Sequence, residues 1–170
     1  HATQNNRGEN PFALWVSYPD PHEPYEAVRR YADMFPLESV DLPPSRENEF
    51  DDSAPERNSV LHEILGLSDD SEEDIRRAIS VYYAMTRFVD DGIGRILDTL
   101  ERTGLKDNTI IVFTADHGDF MGEHDMIVKG GVFYDCLVRV PLIVSWPGQV
   151  AQGVRDDSMV STIDIVPTLL

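Results

Sequence analysis

Apolar residues gather along this chain in several places, and their spacing differs from one place to the next. Ile75, Ile79, Tyr82, Thr86, Val89, Ile93, Ile96 and Leu100 fall at steps of three and four, which predicts one apolar face of a long helix. Ser71 stands where an N-cap is needed. Glu72, Glu73 and Asp74 supply negative charge to the first turn, and Gly104 is the expected C-terminal cap. Arg76, Arg87, Asp90, Asp91, Arg95, Asp98 and Arg102 populate the rest of the surface. Asp91 with Arg95 and Asp98 with Arg102 have helix-compatible spacing, each pair adding a few tenths of a kcal/mol. They form a solvated face rather than a site.

The other apolar segments are short and not helical in period. Thr109–Phe113 is an almost continuous β-branched run, the pattern of a strand buried on both faces of a parallel sheet covered by helices. Pro141–Trp146 predicts a second buried strand, closed by the turn residues Pro147 and Gly148. Phe12–Tyr18 is a further run of strand length, between a polar loop at residues 1–10 and a proline-rich loop. Val132–Val138 fits helix and strand equally. Ser161–Asp164 has the form of a helix cap, with Pro167 tolerated near the helix start. From Tyr31 to Asp70 the pattern weakens into an irregular surface excursion with acids at Glu47, Glu49, Asp51 and Asp52. Strands alternating with helices predict an α/β layered domain.

Charge narrows the function classes. The 170 residues carry a formal net charge of −17, which argues against nucleic-acid binding, since that requires a basic footprint. An anionic substrate would need a local cluster of cations. The single Cys136 excludes an internal disulfide and a multi-cysteine zinc site, and its setting before an apolar segment suits a small buried hydrophobe. No apolar run approaches the roughly 18 residues of a membrane span. The chain begins at His1 and stops inside an apolar run, so the expectation is an internal piece of a longer protein.

Two places carry candidate chemistry. Asp116, His117 and Gly118 end the run that starts at Thr109, and in open α/β sheets ligands bind outside the carboxyl ends of strands. A carboxylate beside an imidazole there is a metal-site or acid–base candidate, with Gly118 allowing a sharp turn. The plainer reading is a turn in which Asp116 accepts backbone N–H groups and His117 is merely exposed. His22 lies in Pro19-Asp20-Pro21-His22-Glu23-Pro24, a stiff loop at the end of an apolar run and so a good mount for a site residue. His62 is expected to be structural or exposed.

Taken in order, these segments resemble the sulfatases of the alkaline phosphatase-like superfamily. The residues that carry the resemblance are Tyr18–Tyr25, Tyr82–Met85 with Val89–Gly94, Thr114–Gly118, Gly122–His124, Lys129–Gly130, Arg139–Val144, Trp146–Gly148 and Val160–Leu170. The resemblance implies a layered α/β/α sandwich with a mostly parallel, mixed central sheet. Residues 1–170 would form part of the catalytic domain, with the nucleophile-bearing part and a C-terminal subdomain outside it. It implies a sulfuric ester hydrolase acting on a sulfated small molecule or glycan. Asp116 and His117 would be ligands of one divalent metal ion, calcium or, alternatively, manganese. His22 and Lys129 would be catalytic and contact the sulfate group, with His124 as a further substrate-binding candidate.

Many sulfatases have Asn where His117 stands, and the Asp–His version occurs in related phosphonate and phosphodiester hydrolases. That activity is therefore an alternative, as is a non-catalytic sulfatase-like binding module. The family nucleophile is a formylglycine made in a Cys/Ser-x-Pro/Ala-x-Arg motif, which is absent here; Cys136-Leu137-Val138-Arg139 does not match it. The formylglycine and a pair of aspartates are expected upstream of His1, and residues 1–170 alone are expected to be inactive. The family suggests a periplasmic, secreted or lysosomal-type compartment.

Overall fold

Residues 11–46, 55–67 and 71–170 are described by a computed structural model. In chain order its elements are α1 (Arg29–Ala32), α2 (Glu56–Leu65), α3 (Glu72–Arg102), β1 (Ile111–Thr114), α4 (Asp135–Val138), β2 (Leu142–Ser145) and α5 (Ile165–Leu169). The expected polar loop at residues 1–10 and the acids from Glu47 to Asp52 lie outside the described residues.

Both ends of α3 form as its sequence predicts. The Ser71 side-chain oxygen accepts the Asp74 N–H at 3.2 Å. At the other end Gly104 turns left-handed at φ +69°. Its N–H donates to Glu101 at 3.0 Å and that of Leu105 to Leu100 at 2.9 Å, which satisfies carbonyls the helix would otherwise orphan. The buried face is wider than the expected stripe. Ile75, Ile79 and Leu100 are buried and Thr86 is exposed, while Ser80, Ala84 and Met85 are buried as well. The segment around α1 explains the extra coverage. The Tyr31 ring meets Phe88 edge-on at 5.6 Å, Phe35 meets Tyr83 at 5.7 Å, and the Ser80 hydroxyl donates to the Phe35 carbonyl at 2.6 Å. Asp91 is held by Arg87 at 2.7 Å and by the Tyr31 hydroxyl at 2.9 Å, rather than by the expected Arg95.

The stretch expected to be irregular contains α2. Helix forms there because Leu61 and Leu65 find an apolar cluster of Phe120, Met126 and Leu137, so tertiary packing rather than periodicity decides the element. A second cluster joins Val40, Leu67, Ile75 and Ile79 to Leu42, Met121 and Ile127. Together the two clusters fix the chain between His117 and Tyr134 against α2 and the start of α3.

The sheet departs most from expectation. β1 pairs with β2 antiparallel, Ile111 opposite Ser145 and Thr114 opposite Leu142. Neither strand is buried on both faces, and Ile143 is 58% exposed. A β-branched run is enclosed only when layers stand on both of its sides, and among the described residues no such layers cover this pair. The expected strand at Phe12–Tyr18 has no ladder partner among the described residues, and Trp15 is 89% exposed. The ambiguous stretch Val132–Val138 becomes helical at α4. Ser161 forms the expected cap with Asp164, donating its N–H to that carboxylate at 2.8 Å ahead of α5.

Candidate functional site

The proline-rich loop is pinned to α3 at both ends. Tyr18 packs so close over Gly92 that a Cβ there would lie 2.8 Å from its hydroxyl. Tyr25 sets its ring edge-on to Tyr82 at 6.1 Å. Between these anchors the His22 N–H donates to the Pro19 carbonyl at 3.0 Å. The His22 Nδ1 lies 2.7 Å from the Glu23 carbonyl oxygen. A carbonyl only accepts, so Nδ1 carries the proton and Nε2 is the nitrogen left for other work.

The loop after β1 is built on its own small core. Phe120 and Met126 are fully buried, and the chain closes on itself through Phe120 N–H to Val128 carbonyl at 2.7 Å and Gly122 N–H to Met126 carbonyl at 2.9 Å. Gly118 is needed for proximity rather than for the unusual turn its sequence suggests. A Cβ there would collide with the Cys136 carbonyl of α4, and φ is not positive. Val128, by contrast, sits at φ +57°, a costly region for a β-branched residue. That backbone leads directly into Lys129.

The two loops meet through charge. Lys129 Nζ donates to Glu23 Oε2 at 2.7 Å, across 106 residues of sequence. The same carboxylate oxygen lies 3.3 Å from His22 Nδ1. His22 and Lys129, expected together in one site, are therefore brought together by Glu23. The hydrogen bond from Lys129 holds the Glu23 carboxyl below the usual range.

Asp119 adds a second acid. Burial pushes its carboxyl up, against the pull of Lys129 and His117 and also of His22. Its Oδ1 is buried without a hydrogen-bond partner among the described residues, as is the Tyr25 hydroxyl. Burial and then the nearby Asp119 raise the Tyr25 phenol as well. Glu23 and Asp119 were not singled out by sequence. The available signal was an acid beside each candidate histidine motif, but such acids are common on an acidic surface.

Asp116 and His117 lie at the end of β1 as expected. Asp116 Oδ1 accepts the His117 N–H at 2.9 Å, so the plainer turn geometry is present too. The second carboxylate oxygen remains open, 3.8 Å from His117 Nε2, and the Asp116 side chain is 87% exposed. His117 Nδ1 donates to the Gly118 carbonyl at 2.9 Å, which leaves Nε2 as the bare nitrogen beside that oxygen. One carboxylate oxygen and one imidazole nitrogen facing the same space fit part of a divalent-metal shell. Among the described residues no group of three or more His, Cys, Asp or Glu completes it.

The remaining candidates have other settings. The His124 ring stacks on Tyr134 with centroids 4.2 Å apart and faces Phe120 edge-on, and its backbone N–H donates to Ser45 at 3.3 Å. His62, half-buried, pairs with Asp125 at 3.3 Å. Cys136 is half-buried in the Phe120 cluster, where burial pushes its thiol up to about 11. No helix among the described residues is long and apolar enough to cross a membrane.

Comparison with known proteins identifies the family. The Sulfatase family model matches residues 1–170. Choline-sulfatase of Rhizobium meliloti is 32% identical over 97% of this chain and 32% of its own. The crystal structure of YidJ from Bacteroides fragilis superposes with a TM-score of 0.72 at 34% identity, over 95% of this chain and 32% of that one. Phosphonate monoester hydrolase of Agrobacterium radiobacter superposes with a TM-score of 0.70 at 30% identity, over 86% and 31%. The chain spans about a third of the length of the curated relatives it matches. Its fold is accordingly the alkaline phosphatase-like one. The chain belongs to the sulfatase family.

Proposed function

We propose that the protein carrying this chain hydrolyses sulfate monoesters of a small molecule or glycan, and that residues 1–170 supply the histidine–lysine side of its active site. The observation that carries this reading is the contact of Lys129 with the His22 loop through Glu23, at 2.7 Å. Lys129 keeps two further N–H groups for an ester oxygen, and as a fixed cation it stabilises charge that grows on the sulfuryl oxygens. His22 Nε2 is the ring nitrogen left for substrate, and in the doubly protonated ring it gives its proton to the bridging oxygen as the leaving group departs.

Asp116 and His117 would hold one divalent metal ion, calcium with manganese as the alternative, together with ligands outside the described residues. Bound there, the cation supplies Lewis-acid polarisation of the ester oxygens. The local charge favours its presence. Among the described residues Glu23, Asp116 and Asp119 set three carboxyl groups against the ammonium of Lys129 and two imidazoles. Such a neighbourhood does not attract an anion without an added cation. The nucleophile would be a formylglycine hydrate supplied by the intact protein from outside residues 1–170. His124, whose ring lies against Tyr134, is the further substrate-binding residue of this proposal.

A second reading, phosphonate or phosphodiester hydrolysis, is favoured by His117 in the metal pair and by the likeness to a phosphonate monoester hydrolase. Turnover of 4-nitrophenyl sulfate and of an aryl phosphonate monoester by the purified intact protein separates the two. A faster sulfate reaction is expected. A dominant phosphonate rate replaces the first reading with the second, and no turnover of either defeats both.

A further inference from the structure

We propose that Glu23 is a positioning residue that sustains His22 as the proton donor to the leaving oxygen while tying Lys129 to the same point. The inference rests on the hydrolase reading above. One oxygen, Glu23 Oε2, lies 2.7 Å from Lys129 Nζ and 3.3 Å from His22 Nδ1. The Glu23 carbonyl holds that same ring nitrogen at 2.7 Å. The residue thus faces His22 with its backbone and its side chain at once. Nδ1 is committed to these oxygens, and Nε2 is left for substrate.

The His22 side chain is 53% exposed, so packing alone does not hold its ring. Among the charged groups around it are Glu23, at 3.3 Å, Lys129 on the same Glu23 oxygen, and Asp119. Glu23 is the one among them that lies within direct reach of the ring. The carboxylate beside Nδ1 holds the orientation of the doubly protonated ring that must exist just before proton transfer, so that Nε2 faces the leaving oxygen. It also offsets the repulsion between that ring and the Lys129 ammonium, which would otherwise drive the two apart.

The nucleophile's hydroxyl oxygen bonds to sulfur as its own proton passes to solvent water, while the bond from sulfur to the leaving oxygen breaks. The electron pair of that bond goes to the leaving oxygen, which takes the Nε2 proton. His22 keeps its Nδ1 proton and ends neutral beside Glu23. A residue that acts on this proton matters most when the leaving oxygen is basic, and little when it departs readily as an anion. A purely structural role has no such dependence.

The test uses the intact protein, the variants Glu23→Gln and Glu23→Asp, and a series of aryl sulfates from 4-nitrophenyl to phenyl. Far-UV circular dichroism and thermal melting verify that each variant folds. For Glu23→Gln the expected loss in kcat is about 10–100-fold with phenyl sulfate and below about threefold with 4-nitrophenyl sulfate, with KM not raised. Glu23→Asp, which keeps the charge, recovers part of the phenyl sulfate rate. In a His22→Asn background Glu23→Gln adds no further leaving-group dependence. An equal loss across the series, no loss at all, or an undiminished leaving-group effect in the His22→Asn background overturns the proposal while leaving the hydrolase reading intact. A wild-type protein inactive on both sulfate and phosphonate esters defeats the hydrolase reading first, and this proposal with it.

Discussion

The His22–Glu23–Lys129 assembly and the Asp116–His117 pair stand on neighbouring loops, yet the chain finishes one and leaves the other open. In the first, groups 106 residues apart are drawn to 2.7 Å, and the Lys129 side chain is only 24% exposed. In the second, adjacent residues turn one oxygen and one nitrogen toward the same space, with the Asp116 carboxylate 87% exposed. The difference follows from what each must hold. A lysine and a histidine that bind an anion can be preorganised by a carboxylate of the same chain. A divalent cation needs several donors arranged around it, and two consecutive residues cannot surround anything. In the role proposed for it the pair is a partial shell, which groups beyond the described residues would have to complete.

The contrast can be broken most forcefully at the segment both regions share. Phe120 lies between His117 and Lys129, fully buried against Met126 and Leu137. Phe120→Ala is expected to cost about 3–5 kcal/mol in denaturant unfolding of the intact protein, and to lower metal content and turnover together. A loss confined to one of the two would show that the loops are anchored independently.

Lys129→Ala sharpens the comparison. It is expected to reduce kcat/KM about 10²–10³-fold, roughly 2.7–4 kcal/mol of transition-state stabilisation, with metal content measured by elemental analysis unchanged. Asp116→Asn is expected to do the reverse first, weakening metal binding by about tenfold or more as ligand charge falls. Undiminished turnover in both variants would remove the roles proposed for these residues.

The smallest effect is the pH dependence of the ion pair. Hydrogen bonding to Lys129 lowers the Glu23 carboxyl from its ordinary 4.5. A lowered acid contributes stability that is present above the ordinary value and is lost as pH falls through the native one. The melting temperature of Glu23→Gln should therefore lie slightly below that of the wild type near pH 7. The gap should narrow as pH falls below the ordinary glutamate value and close once it is below the lowered native one. A gap that persists in acid would mean that Glu23 stabilises through packing and not through its charge.

Local chemistry was legible where its causes are local. Ser71, Gly104 and the Ser161–Asp164 cap behave as their types and positions require, because a cap depends on three or four consecutive residues. His22, Lys129, Asp116 and His117 were found by their order along the chain, which resembles a family pattern. Glu23 was in plain view beside His22, but its role depends on a lysine 106 residues away. Asp119 was hidden in the same way, since only burial distinguishes it from the many other acids of this chain.

The apolar runs mark the limit. Periodicity reports that Phe12–Tyr18, Thr109–Phe113 and Pro141–Trp146 are suited to burial, and it does so whether or not a covering layer is present. Residue types along the chain thus settled the caps of α3, the stiffness of the histidine loop and the chemical identity of the candidate groups. Three-dimensional packing settled which helix face is covered, why α2 exists, that β1 pairs antiparallel with β2, and that one carboxylate joins His22 to Lys129. The physical reason is range. Backbone preference and capping act within a turn, whereas burial and ion pairing act between segments that only folding brings together.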